Sequence, residues 1–210
     1  MRASHLSEQF ESLRVQASAA RFGMWIFLAS ELLLFGALFA LYGSYRSMYP
    51  HDFGEALRHN NIALGTLNTL VLITSSLTVA LSVHAMRHAR HRASAGYIAA
   101  TLALAMVFLA VKAFEYAAHF HEGIFPGAAF RFVGLDTFGS RMFFTLYFLF
   151  TGLHGLHVVA GMAVLTWLLV RVMRGSVTPS SHIALELGGL YWHLVDLVWI
   201  FLWPLLYLAR

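Results

Sequence analysis

Apolar residues run in five long stretches, and polar residues are concentrated in the gaps between them. The stretches extend over about Phe22–Tyr45, Ile62–Ala85, Ala95–Phe120, Met142–Val170 and Leu185–Leu208. At 1.5 Å per residue, each is long enough to cross a hydrocarbon core about 30 Å thick. Backbone groups find no water to bond in lipid, so each stretch predicts a helix. The in–out alternation of a membrane barrel strand is absent. The pattern predicts an all-α integral membrane protein, a five-transmembrane-helix bundle over residues 22–210. A polar segment, residues 1–21, precedes it as a surface helix or tail.

The gaps read as connections. "RSMYPHDFGEALRHNN" and "HEGIFPGAAFRFVGLDTFGSR" hold the turn formers Pro50, Gly54, Pro126 and Gly127, whereas "MRHARHRAS" and "RVMRGSVTPSSH" are short and basic. Five spans put the termini on opposite sides. The N-terminal side collects eight arginines (Arg2, Arg14, Arg21, Arg87, Arg90, Arg92, Arg171, Arg174) and the other side five (Arg46, Arg58, Arg131, Arg141, Arg210). Basic loops stay inside, so the N-terminus is expected inside and the C-terminus outside. Tyr42, Tyr45, Tyr116, Tyr191 and Tyr207 near the span ends suit aromatic belts, and Pro204 beside Trp203 suits a kink at the last exit.

Composition agrees. Of the 210 residues, 59% are hydrophobic and 11% charged, with a net charge of +4 and no cysteine. Disulfides and thiolate metal sites are excluded, and too little chain lies between the spans for a separate soluble domain. The basic residues sit at span ends, where they serve topology rather than nucleic-acid binding.

Ionisable groups inside spans are costly and face protein or water, so they are the informative residues. Glu31 lies about 10–15 Å from the inner end of the first span, with no basic residue within a turn. It must pair across helices, stay protonated or meet water. Lys112 and Glu115 stand i,i+3, a self-pairing spacing, with His119 on the same face. His154, His157 and Gly161 form one stripe, where small residues let a second helix approach the imidazoles. His193 and Asp196 are i,i+3, a spacing that lets the carboxylate orient the ring. Two alternatives arise. Histidines on facing helices are what a membrane heme b anchor needs, and a relay of Glu31, Lys112, Glu115 and Asp196 would suit a proton-coupled transporter. The internal repeat typical of transporters is not visible.

The segments "GMWIFLASELLLFG", "LNTLVLITSS", "KAFEY", "FFTLYFLFTGLHGLHVVAGM" and "LYWHLVDLVWIFLWPLLYL" resemble those of subunit III of the heme–copper terminal oxidases, from about Arg21 to the C-terminus. The resemblance implies an accessory subunit, non-catalytic alone, with no catalytic, cofactor or metal residues of its own. Hemes and copper would lie in partner subunits, with oxidase subunit I as the main neighbour. Phospholipid would be bound, and the complex would reduce oxygen and pump protons. Glu31 takes the place of the family's intramembrane carboxylate. His154, His157, Glu186, His193 and Asp196 take its other signature positions. Arg21, Arg87 and Arg171 are expected lipid or subunit contacts.

Many relatives have seven spans, and this chain begins at what would be their third, so the usual lipid cleft would lack two helices here. Thr151-Gly152-Leu153-His154-Gly155, together with Asn68-Thr69 and Ser30-Glu31, resembles the cytochrome c branch more than the quinol-oxidase branch. The expected place is a bacterial inner membrane engaged in aerobic respiration.

Overall fold

The computed structural model describes residues 12–179 and 181–209. In order, its elements are α1 (Leu13–Met48), α2 (Pro50–Leu57), α3 (Ile62–Arg87), α4 (His91–His121), two 3₁₀ turns (Gly127–Ala129 and Val133–Leu135), α5 (Phe138–Met173), α6 (Ile183–Trp203) and a π-helical turn (Pro204–Leu208). Among the described residues, five stretches are long and apolar enough to cross a membrane. Extended pairing there is limited to one bridge, Thr178 with Ser181. Arg2 and Arg210 of the arginine count, and residues 1–11 of the polar segment, lie outside the described residues.

The helices overrun the apolar stretches because hydropathy marks the hydrocarbon, whereas a helix continues until something caps it. Ser12 accepts from the Val15 amide and starts α1 nine residues ahead of Phe22. Residues 13–21 are therefore the first turns of α1, not a separate surface helix. Asn61 caps α3 by accepting from the Ala63 and Leu64 amides, and Thr137 caps α5 through the Ser140 amide. The connection after α1 is helical too. Pro50 sits in the first turn of α2, where its missing N–H costs nothing, and Asp52 there complements the helix dipole. Phe53, Ala56 and Leu57 turn that short helix onto the core.

Helix α6 is the central element. It packs against α3, α5 and α1, while α3 and α4 run along each other. Over its most apolar part, 56% of the last span is buried but only 11% of α1. Trp192 and Trp199 of α6 are fully buried, and each donates its indole N–H to α3: Trp192 to Ser75 Oγ at 3.0 Å and Trp199 to Thr69 Oγ1 at 3.1 Å. Two glycines make room for rings. A Cβ at Gly161 would lie 2.8 Å from Trp192 Cε3, and one at Gly65 would lie 2.8 Å from Tyr207 Cδ1. Lipid is as apolar as these side chains, so close packing and hydrogen bonds, rather than exclusion of water, hold the helices together.

At the far end of α6, Pro204 has no N–H to continue the helix, and the chain widens into the π turn. The carbonyls at the end of this turn are taken by other elements. Tyr42 Oη donates to the Leu205 carbonyl at 2.9 Å, and Asn60 Nδ2 donates to the Leu206 carbonyl at 2.8 Å. The Arg46 guanidinium donates to the Ala209 carbonyl. Tyr42 and Tyr207 are thus buried in the core, which corrects their reading as interface-belt residues. An aromatic ring with one polar tip suits either place, and here the Leu205 carbonyl supplies Tyr42 with a partner inside while the Glu115 carboxylate supplies Tyr207 with one.

Gly161→Val should destabilise the bundle by about 1–3 kcal/mol through overpacking against Trp192. Gly155→Ala, where a Cβ meets nothing within 4 Å, should be silent. Retention of folded chain after graded heating in detergent separates the two. Equal heat resistance of both variants would refute the packing account.

Candidate functional site

Glu31 pairs across helices. Its Oε2 lies 2.9 Å from His157 Nε2, linking α1 to α5. Both side chains are about 15% exposed at most. The other ring nitrogen, Nδ1, sits 2.8 Å from the Leu153 carbonyl. That oxygen only accepts, so Nδ1 carries a hydrogen, an assignment that follows from the hydrogen-bond network. Nε2 and Oε2 are then left to share one proton, as imidazolium with carboxylate or as two neutral groups. Either arrangement has zero net charge, which makes the pair tolerable in lipid. Phe35 packs edge-on against the imidazole at 5.4 Å, and Tyr191 Oη donates to the His157 carbonyl at 3.0 Å.

A second polar knot lies toward the π turn. Lys112 Nζ donates to Glu115 Oε2 at 2.9 Å, to Tyr147 Oη at 2.9 Å and to Tyr207 Oη at 3.0 Å. Tyr207 Oη donates in turn to Glu115 Oε1 at 2.7 Å. The ammonium thus has a partner for each hydrogen, and α4, α5 and the π turn are fastened to one another. His119 is buried beside the knot with its ring edge-on to Tyr147 at 5.3 Å. The Lys112–Glu115 pair is visible from spacing, but the two tyrosines are not, because 35 and 95 residues separate them from Lys112.

His154 differs from the expectation that both histidines of its motif serve as interhelical hydrogen-bonding groups. It is 1% exposed, and neither ring nitrogen has a hydrogen bond among the described residues. Its neighbours at that level are Phe108 of α4, centroid to centroid 5.6 Å, and Trp199 of α6, at 5.1 Å. The nearby indole N–H is already committed to Thr69. Among the described residues, no three of His, Asp and Glu converge as a metal site would need.

His193 and Asp196 also depart from their spacing. His193 Nδ1 bonds Ser76 Oγ of α3 at 2.7 Å rather than the carboxylate on its own helix. Neither carboxylate oxygen of Asp196 has a hydrogen bond among the described residues. The neighbouring helix simply places a hydroxyl within closer reach of the ring.

Glu186, in the first turn of α6, gathers two guanidinium groups and an imidazole. Arg87 Nη2 of α3 lies 2.6 Å away, Arg21 Nη2 of α1 lies 3.2 Å away, and His182 Nε2 lies 3.0 Å away. The carboxylate also suits the positive end of the helix. The start of α1, the end of α3 and the start of α6 therefore share one side of the bundle. Arg21 and Arg87 are engaged within the chain, whereas the Arg171 guanidinium lies over the Trp167 ring, 4.8 Å from its centroid. Ser76, Tyr147, Asn60 and Arg46 complete these sites, and none carries a sequence signal beyond its polarity.

Known proteins are similar to this chain over most of its length. The family model described as cytochrome c oxidase subunit III matches residues 8–209. The cytochrome c oxidase subunit 3 of a Synechocystis species is 33% identical over 188 residues, covering 89% of this chain and 74% of the relative. The probable quinol oxidase subunit 3 of Staphylococcus aureus is 28% identical over 211 residues, covering 98% of this chain and 96% of the relative. The heme–copper oxidase subunit I+III of Aeropyrum pernix is 29% identical over 195 residues, 90% of this chain but 22% of that longer protein. With the family match running almost end to end and its polar motifs at the helix contacts, this multi-pass membrane chain belongs to the cytochrome c oxidase subunit III family.

Proposed function

We propose that the chain is the accessory subunit III of a proton-pumping heme–copper oxidase in a bacterial plasma membrane. In this reading it is non-catalytic alone, with its N-terminus inside and its C-terminus outside. Hemes and copper belong to the partner subunits. The chain steadies subunit I, the phospholipid around it and the entry of protons from the inner side. A subunit I+III relative in one polypeptide supports the pairing with subunit I. Eight of the thirteen arginines fall on the proposed inner side, where a positive rim orients the chain and favours anionic lipid.

The Glu31–His157 bridge carries the mechanistic part. Helix α1 exposes Phe22, Trp25, Ile26, Leu32 and Leu33 to whatever surrounds the chain. Mid-span, the Glu31–His157 bridge ties this exposed helix to α5, so it sets the angle at which α1 meets lipid and subunit I. Loosening α1 would disturb the surface that shields the catalytic subunit and positions its proton entry. The pair thus acts by positioning rather than by chemistry.

Electron donor is the remaining choice. Cytochrome c is favoured by the Thr151–Gly155 motif and by the 33% identity to a cytochrome c oxidase subunit. A quinol donor is the second reading, favoured by the near-complete length match to the staphylococcal protein. Oxygen uptake by the purified complex, with reduced cytochrome c and with a quinol in turn, decides it. Uptake with quinol alone would overturn the first choice.

Glu31→Ala should leave the heme spectrum and the initial turnover rate intact. It should shorten the time to half-inactivation during sustained turnover several-fold, or slow proton uptake by a similar factor. Glu31→Gln keeps a hydrogen-bonding group within reach of His157 Nε2 and should fall between Ala and wild type. Unchanged lifetime and proton pumping in Glu31→Ala would sink the positioning role.

A further inference from the structure

Asp196 stands out because every other carboxylate inside the bundle is matched. It is 3% exposed, and neither oxygen has a hydrogen bond among the described residues. The Ser76 hydroxyl beside it is engaged by His193 Nδ1 at 2.7 Å. A carboxyl group buried without a donor gives up its hydration with nothing in exchange, at a greater cost when charged. These three residues line one side of a notch of about 370 Å³ between α3 and α6, whose remaining wall is apolar and includes Ile73, Leu77 and Ile200. The rim residues Leu77, Leu197 and Ile200 are exposed large hydrophobics.

Depth restricts what can fill the notch. Asp196 lies 13 residues along α6, about 20 Å at 1.5 Å per residue, and so near the middle of the last span. Headgroups lie about 15 Å from the centre of a 30 Å core. An acyl chain reaches the notch but has no donor to offer. A neighbouring helix reaches the same depth and can carry one. Leu197 also borders a second, apolar groove of about 310 Å³ between α1 and α6, so the outward strip of α6 is a ridge flanked by two grooves. Such a relief is what a packed helix needs.

We infer that the Ser76–His193–Asp196 notch seats a transmembrane helix of oxidase subunit I, whose hydroxyl, indole or amine side chain donates to Asp196. This rests on the reading of the chain as a subunit I neighbour. The notch is then the polar key of that interface, set in an apolar rim, and it fixes the register of the two subunits along the membrane normal. Interhelical hydrogen bonds of this kind are retained because the alternative is an unmet polar group in hydrocarbon.

The intact oxidase supplies the test. Photoreactive p-benzoyl-phenylalanine at Leu77 or Ile200 should give adducts with subunit I, identified by mass and heme content. The same probe at exposed Trp167 of α5 should give none. Asp196→Leu should raise the heat resistance of the isolated chain, because it removes an unmet carboxyl group, yet speed its loss from the complex in detergent about three- to tenfold. Asp196→Asn, which keeps an acceptor, should retain most of the wild-type association. Adducts at Leu77 and Ile200 with lipid alone or with a second copy of this chain would overturn the inference. So would unchanged retention of Asp196→Leu. If wild-type chain fails to co-purify with subunit I, the proposed function itself falls. If it co-purifies but only the Trp167 probe reaches subunit I, the notch alone falls.

Discussion

One proton shared between Glu31 and His157 lets a carboxylate sit in the middle of a membrane helix without net charge. The arrangement depends on the Leu153 carbonyl, which occupies Nδ1 and leaves Nε2 to face the carboxylate. It matters because α1 has little else to hold it. In lipid, apolar faces gain nothing by meeting one another rather than the acyl chains. Helix α1 is instead fastened by polar clasps at three heights: Arg21 on Glu186 at one end, Glu31 on His157 in the middle, and Tyr42 on the Leu205 carbonyl at the other end. Clasps spaced along a helix resist both sliding and tilting, which one contact of the same strength would not do.

The same economy governs the interior. The Lys112–Glu115 pair is neutral as a unit, and the hydroxyls of Tyr147 and Tyr207 complete its hydrogen bonding. Removing either charge would leave the other stranded, whereas an apolar replacement of both would cost far less. Such a pair is therefore better understood as a register pin than as a source of stability. It joins α4 and α5 to the π turn, at the place where the last helix ends and its final carbonyls need donors. The break in α6 and the polar residues clustered around it belong together.

Span number and helical class were legible because a hydrocarbon core imposes length and apolarity on each segment separately. Cross-helix partners were not, because they depend on three-dimensional neighbours. Glu31 shows the boundary: its need for a partner on another helix was readable from its own turn, but His157, 126 residues away, was not. His193 shows the opposite error. Its i,i+3 spacing to Asp196 suggested a local pair, and a serine on α3 prevailed. His154 resembled its motif companion yet packs as an aromatic ring, since Phe108 and Trp199 surround it. Tyr42 and Tyr207 misled because an amphipathic ring reads alike at a membrane surface and beside a buried polar group, the Leu205 carbonyl for one and the Lys112–Glu115 pair for the other. Helix α2 was missed because Pro50 and Gly54 signal turns, although proline in a first helical turn is favourable.

Glu31 and Asp196 are both carboxylates near the middle of a span, yet their circumstances differ. Glu31 belongs to the most exposed helix and finds its partner inward; Asp196 belongs to the most buried helix and has no hydrogen-bond partner among the described residues. A helix surrounded on most sides can be satisfied from within the chain except along the strip its neighbours leave open. Asp196 borders that strip, between α3 and the Leu197 ridge. The rule that explains the other intramembrane carboxylates, that each needs a partner at its own depth, thus extends past the edge of the chain. If polar groups set the register between helices inside the bundle, an unmet one on its open side sets the register of the next helix outside it.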